Sequence, residues 1–186
     1  MRPLFTIHAG EYVVGDFIEK KYSNLCVWIP SKDTGIDLLV TGTRGHQPVS
    51  LQVKLSKDYK PLKAANAFEE SIVAAGWLTL EHDKLEKSQA DLWVIVLVSH
   101  ERRMKPQFVV IPPAELLRRL SSTHGKSKKY QVYPWITKSK LCLDVRGLSR
   151  EQLNEVHAGK MELRDRDLSN YLEKWTSLEN MNAASP

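Results

Sequence analysis

The sequence predicts an α/β fold in which a mixed central sheet is flanked by helices, and three stretches carry that prediction. Residues 36–40 and 49–55 are β-branched, apolar runs separated by Thr41-Gly42-Thr43-Arg44-Gly45-His46-Gln47-Pro48, the composition of a β-hairpin with a short loop. Residues 92–98 are apolar without alternation, as befits a strand covered on both faces. Ahead of the hairpin, an apolar stripe at helical spacing marks a helix laid on the sheet.

Taken in order, Thr6 caps a helix running to about Tyr22, with Ile7, Val14, Phe17 and Ile18 as its stripe. Glu11 lies four residues after Ile7 and three before Val14, so it falls on the stripe and faces the sheet. Gly10 beside it lowers helix propensity, which close approach of the helix backbone to the strands would justify. Residues 25–29 form a first strand, ended by Pro30-Ser31-Lys32-Asp33. A fold-back centred on Arg44 and Gly45 sets Val40 opposite Val49, Leu38 opposite Leu51 and Ile36 opposite Val53, so one face is wholly apolar. On the other face Asp37 meets Gln52, with Lys54 beside them.

Residues 63–75 form an Ala-rich helix with Phe68, Ile72 and Ala75 on one face, stopped by Gly76. A strand over 107–111 precedes Pro112-Pro113, which opens a short helix over 114–120. Residues 121–131 are a polar, basic loop, and 133–136 and 141–145 are short strands. Ser149-Arg150-Glu151-Gln152 has the form of a capping box for a helix near Leu153. Asp165 caps a last helix with the stripe Leu168, Tyr171, Leu172, Trp175 and Leu178. The length of 186 residues fits one domain over 1–180, with its core over about 6–120, a C-terminal helical extension over about 121–180 and a flexible tail over 181–186.

The composition is that of a globular chain with no repeat and no low-complexity block. The apolar run 92–98 is too short to span a bilayer, and the first residues lack a basic-then-apolar leader, so the expected location is cytoplasmic. Cys26 and Cys142 are expected to be small buried residues rather than a bridge or half of a metal site. The formal charge is +5, and the positive residues cluster at Lys57, Lys60 and Lys63, at Arg102, Arg103 and Lys105, and at Lys126, Lys128 and Lys129. Such clusters suit a polyanionic partner, and equally a solvated surface.

Asp37 in the middle of an apolar strand is costly to bury without a partner, and Glu11 and Asp37 are placed to converge. Two carboxylates can hold a hard divalent cation such as Mg²⁺, which keeps several waters and accepts a phosphate oxygen. A lysine beside them can stabilise charge on a pentacovalent phosphorane or orient the attacking water, and the Gln52 amide can ligate weakly or hold a water. These are the parts of a metal-assisted phosphodiester hydrolase.

The set Glu11, Gly35-Ile36-Asp37-Leu38-Leu39 and Gln52-Val53-Lys54 resembles the PD-(D/E)XK nuclease superfamily, in the branch with Gln at the third position and an extra Glu on the first helix. It is similar to archaeal Holliday-junction resolvases and Mrr-like restriction endonucleases, over about residues 6–98. The resemblance implies a restriction-endonuclease-like α-β-β-β-α-β core and a DNA endonuclease of restriction, defence against foreign DNA or repair, dependent on Mg²⁺ or Mn²⁺. It further implies Asp37 as principal metal ligand, Glu11 as a second ligand directly or through water, Gln52 in place of the usual acid and Lys54 as catalytic lysine, in a chain that acts as a dimer. The neutral Gln52 departs from the family's usual acid and removes one anionic ligand. A DNA-binding or assembly module that keeps the fold without cleaving is therefore the alternative, and an α/β interaction protein that dimerises through its last helix is a third.

Further contacts to nucleic acid are expected from His8, Ser56, Lys57, Lys126, Lys128 and Lys129. Tyr130, Tyr133 and Trp135 could stack on an unpaired base, although aromatic residues beside a short strand are more often core. Arg146, after a short strand, is a weaker candidate for a phosphate contact. No separate DNA-reading domain is evident, so specificity lies in the loops and the C-terminal third or comes from a partner protein.

Overall fold

The computed structural model describes residues 8–32, 34–42, 47–56, 58–59, 63–98 and 105–184, and among these the chain is α/β with six α-helices and three sheets. Helix α1 (Ala9–Lys21) precedes β1 (Leu25–Trp28), β2 (Leu38–Gly42) and β3 (Val49–Ser56). Then come α2 (Ala67–Ser71), β4 (Ile72–Ala75), β5 (Leu78–Glu81), α3 (His82–Glu86), β6 (Leu92–Leu97), β7 (Gln107–Ile111) and α4 (Pro113–His124). The remainder holds β8 (Lys129–Val132), β9 (Pro134–Thr137), β10 (Cys142–Asp144), α5 (Arg150–His157) and α6 (Thr176–Ala183). No helix among the described residues is long and apolar enough to cross a membrane.

The main sheet has the order β1-β2-β3-β6-β7. It is mixed: β3 pairs with β6 in parallel, and the other three pairings are antiparallel. A parallel pair needs a crossover, and here α2, β4, β5 and α3 supply it. β4 joins β9 and β10 in a second sheet, and β5 pairs with β8 in a two-stranded ribbon. α1 and α6 cover one face of the main sheet, closing a core of Val14, Ile18, Leu38, Val40, Leu51, Val94, Val96 and Trp175. The opposite face, with Trp93, Ile95 and Leu97, packs against Leu80, Leu85, Leu116 and Tyr130. Residues 92–97 therefore lack alternation because both sides are dry, as the sequence predicts.

The hairpin register is also as predicted where the strands pair: Val40 lies opposite Val49 and Leu38 opposite Leu51. The paired ladder ends there, so Ile36 and Val53 are not partners in it. The fold-back at Arg44 and Gly45, the cap Thr6 and stripe residue Ile7 lie outside the described residues, as do Lys57, Lys60, Arg102 and Arg103. Of the remaining α1 stripe, Val14 and Ile18 are fully buried and Phe17 is half-buried against Trp175.

Four stretches differ from expectation. The helix predicted over 63–75 is only α2, capped by the Asn66 side chain on Glu69 N–H, and Ile72 onward is strand β4. Ile72, Ala74 and Ala75 gain a ladder with β9 that the local Ala-rich preference cannot outweigh. α4 runs to His124, and β8 begins at Lys129, which shortens the basic loop. The last helix predicted from Asp165 is broken into two 3₁₀ turns, Arg164–Arg166 and Ser169–Tyr171, before the short α6. Glu173, at a φ of 54°, exchanges hydrogen bonds with Phe108, donating to its carbonyl at 2.8 Å and accepting its N–H on Oε1 at 2.8 Å, so this segment runs along the edge of β7. The C-terminal part is thus mixed α and β rather than a helical extension. Residues 181–183 belong to α6, with Met181 in the core, and are no loose tail. Cys142 is buried as expected, and that burial pushes its thiol pKa up, whereas Cys26 is exposed because it points away from α1 on edge strand β1.

Candidate functional site

The point where β2 and β3 part company organises the site. β2 begins at Leu38, whereas β3 continues to Ser56, so beyond Leu51 one edge of β3 has no strand beside it. Gly35, at a φ of 81° that favours glycine, turns the chain into this gap. Asp37 fills it: its N–H donates to the Leu51 carbonyl at 2.8 Å, and its Oδ2 accepts the Val53 N–H at 2.7 Å. Gln52 donates its side-chain amide to the same Oδ2. The carboxylate thereby ends the ladder and stays half-buried on the wall of an open cleft of about 1000 Å³.

Glu11 enters the same cleft from α1. It occupies the third position of the helix, and its Oε2 accepts the N–H of N-cap His8 at 3.1 Å, the acid half of a capping box. Its burial to 8% exposed agrees with the prediction that it faces the sheet. α1 reaches β3 so closely that a Cβ on Gly10 would stand 2.9 Å from Leu55 Cβ and 3.2 Å from Val53 Cγ1. Only glycine lets the helix start lie against the strand.

Lys54 is half-buried two residues beyond Gln52, with its Nζ 5.3 Å from the centre of the Trp93 ring. Trp93 is fixed in turn by donating Nε1–H to Ser88 Oγ at 2.9 Å. Ser50, on the same face, donates its hydroxyl at 2.6 Å and its N–H at 2.8 Å to Asp91 Oδ2, which locks the start of β3 to that of β6. The four residues from the hairpin and the helix are therefore held by separate backbone anchors and line one cleft.

His8 lines the cleft too. Ser56 does not: it is 2% exposed, and its hydroxyl accepts from Trp77 N–H at 2.8 Å and donates to Trp77 O at 3.2 Å, which removes it from the phosphate contacts. Lys126, Lys128 and Lys129 are exposed but are not in the cleft wall, and Lys57 lies outside the described residues. Tyr130 is core, with its hydroxyl at 2.9 Å from Ser121 Oγ. The cleft is also lined by Glu81 at the end of β5, Asp83 and Lys84 of α3 and Lys87 just after it, with Lys84 paired to Glu81 at 3.2 Å. The run His82-Asp83-Lys84-Leu85-Glu86 carries a helical apolar position, but nothing local places it at the cleft that holds Lys54.

The oxygens of Glu11, Asp37 and Gln52 form a donor set of the hard type that suits a divalent cation. Both hydrogen bonds to Asp37 fall on Oδ2, and the Gln52 amide would have to present its carbonyl oxygen instead of its NH₂ to serve as a ligand. On α3, His82, Asp83 and Glu86 also bring one ligand atom each within 4.8 Å of one another, at a mostly exposed position. No family model matches the chain, and neither the curated proteins nor the solved structures give a match.

Proposed function

We propose that the chain is a divalent-metal-dependent endonuclease that hydrolyses DNA phosphodiester bonds, built on a core like that of the PD-(D/E)XK nucleases. One observation carries this reading: Glu11 from α1, Asp37 from the segment that leads into β2, and Gln52 and Lys54 from β3 line one cleft at the place where β2 and β3 separate. Glu11, Asp37 and the Gln52 carbonyl would hold Mg²⁺ or Mn²⁺, which would supply Lewis-acid polarisation of the scissile phosphate and an acidified water. The side chains then have distinct tasks. Lys54, steadied over Trp93, directs its amine to the developing negative charge or to the attacking water. Lys84 and Lys87, which line the same cleft, hold the strand's phosphates. His8, at the N-cap, adds a donor at the mouth.

A second reading has its own support. Asp37 is already satisfied by the Gln52 amide and the Val53 N–H, as a purely structural carboxylate would be. A DNA-binding or assembly module of the same fold without cleavage follows if that arrangement persists in the presence of metal. Restriction, defence against foreign DNA or repair is the setting proposed for the cutting form, with a homodimer cutting two strands.

Supercoiled plasmid incubated with wild type, Asp37→Ala and Lys54→Ala in Mg²⁺, Mn²⁺ and EDTA separates the two. Metal-dependent nicking or linearisation by wild type, lost by roughly 10³-fold or more in both folded variants, is the expected result. Wild type inert on duplex, branched and single-stranded DNA would leave the binding module standing.

A further inference from the structure

The ribbon of β5 and β8 connects the cleft to a cluster of exposed rings. Leu78, Leu80, Tyr130 and Val132 point into the core, so the alternate residues face outward. These are Thr79 opposite Gln131 and Glu81 opposite Lys129, and Trp77 and Tyr133 continue the two strands by one residue each. Glu81 lines the cleft, and Trp77 stands four residues before it, roughly 13 Å away along an extended strand. By the other route, Trp77 is bonded to Ser56, which lies two residues, or about 7 Å, beyond Lys54 on the same face of β3.

Trp77 is 42% exposed, and so is Tyr59. An indole so open would ordinarily fold onto the surface, yet this one is propped. The Tyr59 and Tyr133 rings stand at 87° to it, with centroids 5.2 and 6.3 Å away, and Ser56 fixes its backbone at both N–H and C=O. Positive charge lies along the path to the cleft: Lys129, opposite Glu81 at the other end of the ribbon, and Lys128 just before β8 are exposed, and nearer the rings Arg146 donates to the Gln131 carbonyl at 3.3 Å. Preset rings at one end of a ribbon whose other end carries exposed lysines opposite the cleft residue Glu81 match an unpaired nucleobase on a phosphate backbone better than they match duplex, whose bases are stacked on one another.

We propose that Trp77, with Tyr59 and Tyr133, is a stacking platform for an unpaired stretch of DNA strand, and that the preferred substrate carries a single-stranded segment leading into the cleft. This rests on the nuclease reading for the cleft and adds the form of the substrate. Arg146 and Lys129 hold the backbone of the strand while its bases meet the rings. The aromatic residues singled out in the sequence divide accordingly: Tyr133 is part of the platform, and Tyr130 is core.

The test is binding of the full chain to fluorescein-labelled oligothymidylate, read by anisotropy in EDTA so that nothing is cut. A blunt duplex of equal length serves as the comparison. Trp77→Ala and Tyr133→Ala are expected to weaken binding to the single strand by about 5- to 100-fold, with duplex binding within twofold of wild type and Trp77→Phe recovering most of the loss. An oligomer with abasic sites, which keeps the phosphates and loses the bases, is expected to reproduce the effect on unaltered protein. Wild type that prefers duplex, or an affinity that changes less than twofold with both Trp77→Ala and the abasic oligomer, overturns the platform. The two readings fail separately. A chain that cuts plasmid but treats single strands alike with and without Trp77 loses the platform alone, and one that cuts nothing yet binds oligothymidylate through Trp77 loses the nuclease reading alone.

Discussion

Asp37 and Asp144 do similar local work in opposite surroundings. Each carboxylate receives backbone N–H groups where a strand pairing stops: Asp37 takes Val53, and Asp144 Oδ1 takes Tyr133 at 2.9 Å and Arg146 at 3.2 Å. Each also meets a side chain, Gln52 in the first case and His124, whose Nε2 lies 2.6 Å from Oδ2, in the second. Asp144 is 3% exposed and walled in by the β9–β10 sheet and the end of α4, whereas Asp37 looks onto a cleft of about 1000 Å³. Two carboxylates equally well satisfied can therefore sit in very different places. What differs is whether a ligand can reach the oxygen.

The comparison predicts opposite responses to the same substitution. Asp144→Ala leaves two N–H groups and His124 without their acceptor in a dry site and should cost about 3–5 kcal/mol of stability, read as a lowered denaturation midpoint. Asp37→Ala takes the acceptor from the Val53 N–H and the Gln52 amide, which water in the cleft can partly replace, and should cost about 1–2 kcal/mol while, on the nuclease reading, abolishing cleavage. Should Asp37→Ala prove the more destabilising of the two, the carboxylate at the strand fork is structural first.

A smaller effect sharpens the contrast from the helix side. Gly10→Ala gains helix propensity but drives a Cβ against Leu55, so α1 must lift from β3. A net loss of about 1–2 kcal/mol is expected, with plasmid cleavage falling further than stability explains because Glu11 moves with the helix. Cleavage unchanged in the folded variant would count against a part for Glu11 in the proposed chemistry.

The smallest effect tests a charged cluster that is not part of the cleft. Arg118, with Arg119 and Tyr171 in support, holds the Glu115 pKa down to about 2 from an ordinary 4.5. Glu115 binds a proton less readily in the folded chain than in the unfolded one, so its stabilisation is complete above pH 4.5 and is lost as the pH falls toward 2. Glu115→Gln should lower stability by about 1 kcal/mol at neutral pH, discounted for partial solvent screening, and flatten the acid limb below pH 4.5 in a denaturation series.

Periodicity alone fixes much of the molecule. The alternation in 36–40 and 49–55 sets the hairpin register, because a slip by one residue would expose every apolar side chain. The same alternation puts Gln52 and Lys54 on one face, and the 3.6-residue period puts Glu11 toward the sheet. These are short-range regularities and are legible in the chain. Tertiary structure decided what depends on partners distant in sequence. β9 turned 72–75 from helix to strand, and the edge of β7 drew 172–173 out of a helix whose stripe still buries Leu168, Trp175 and Leu178. It also brought Lys84 and Lys87 into the same cleft as Lys54 and sent the hydroxyl of Ser56 to Trp77. Sequence specifies which face of an element is apolar, but which element lies against that face is settled only when the competing burials are summed over the whole chain.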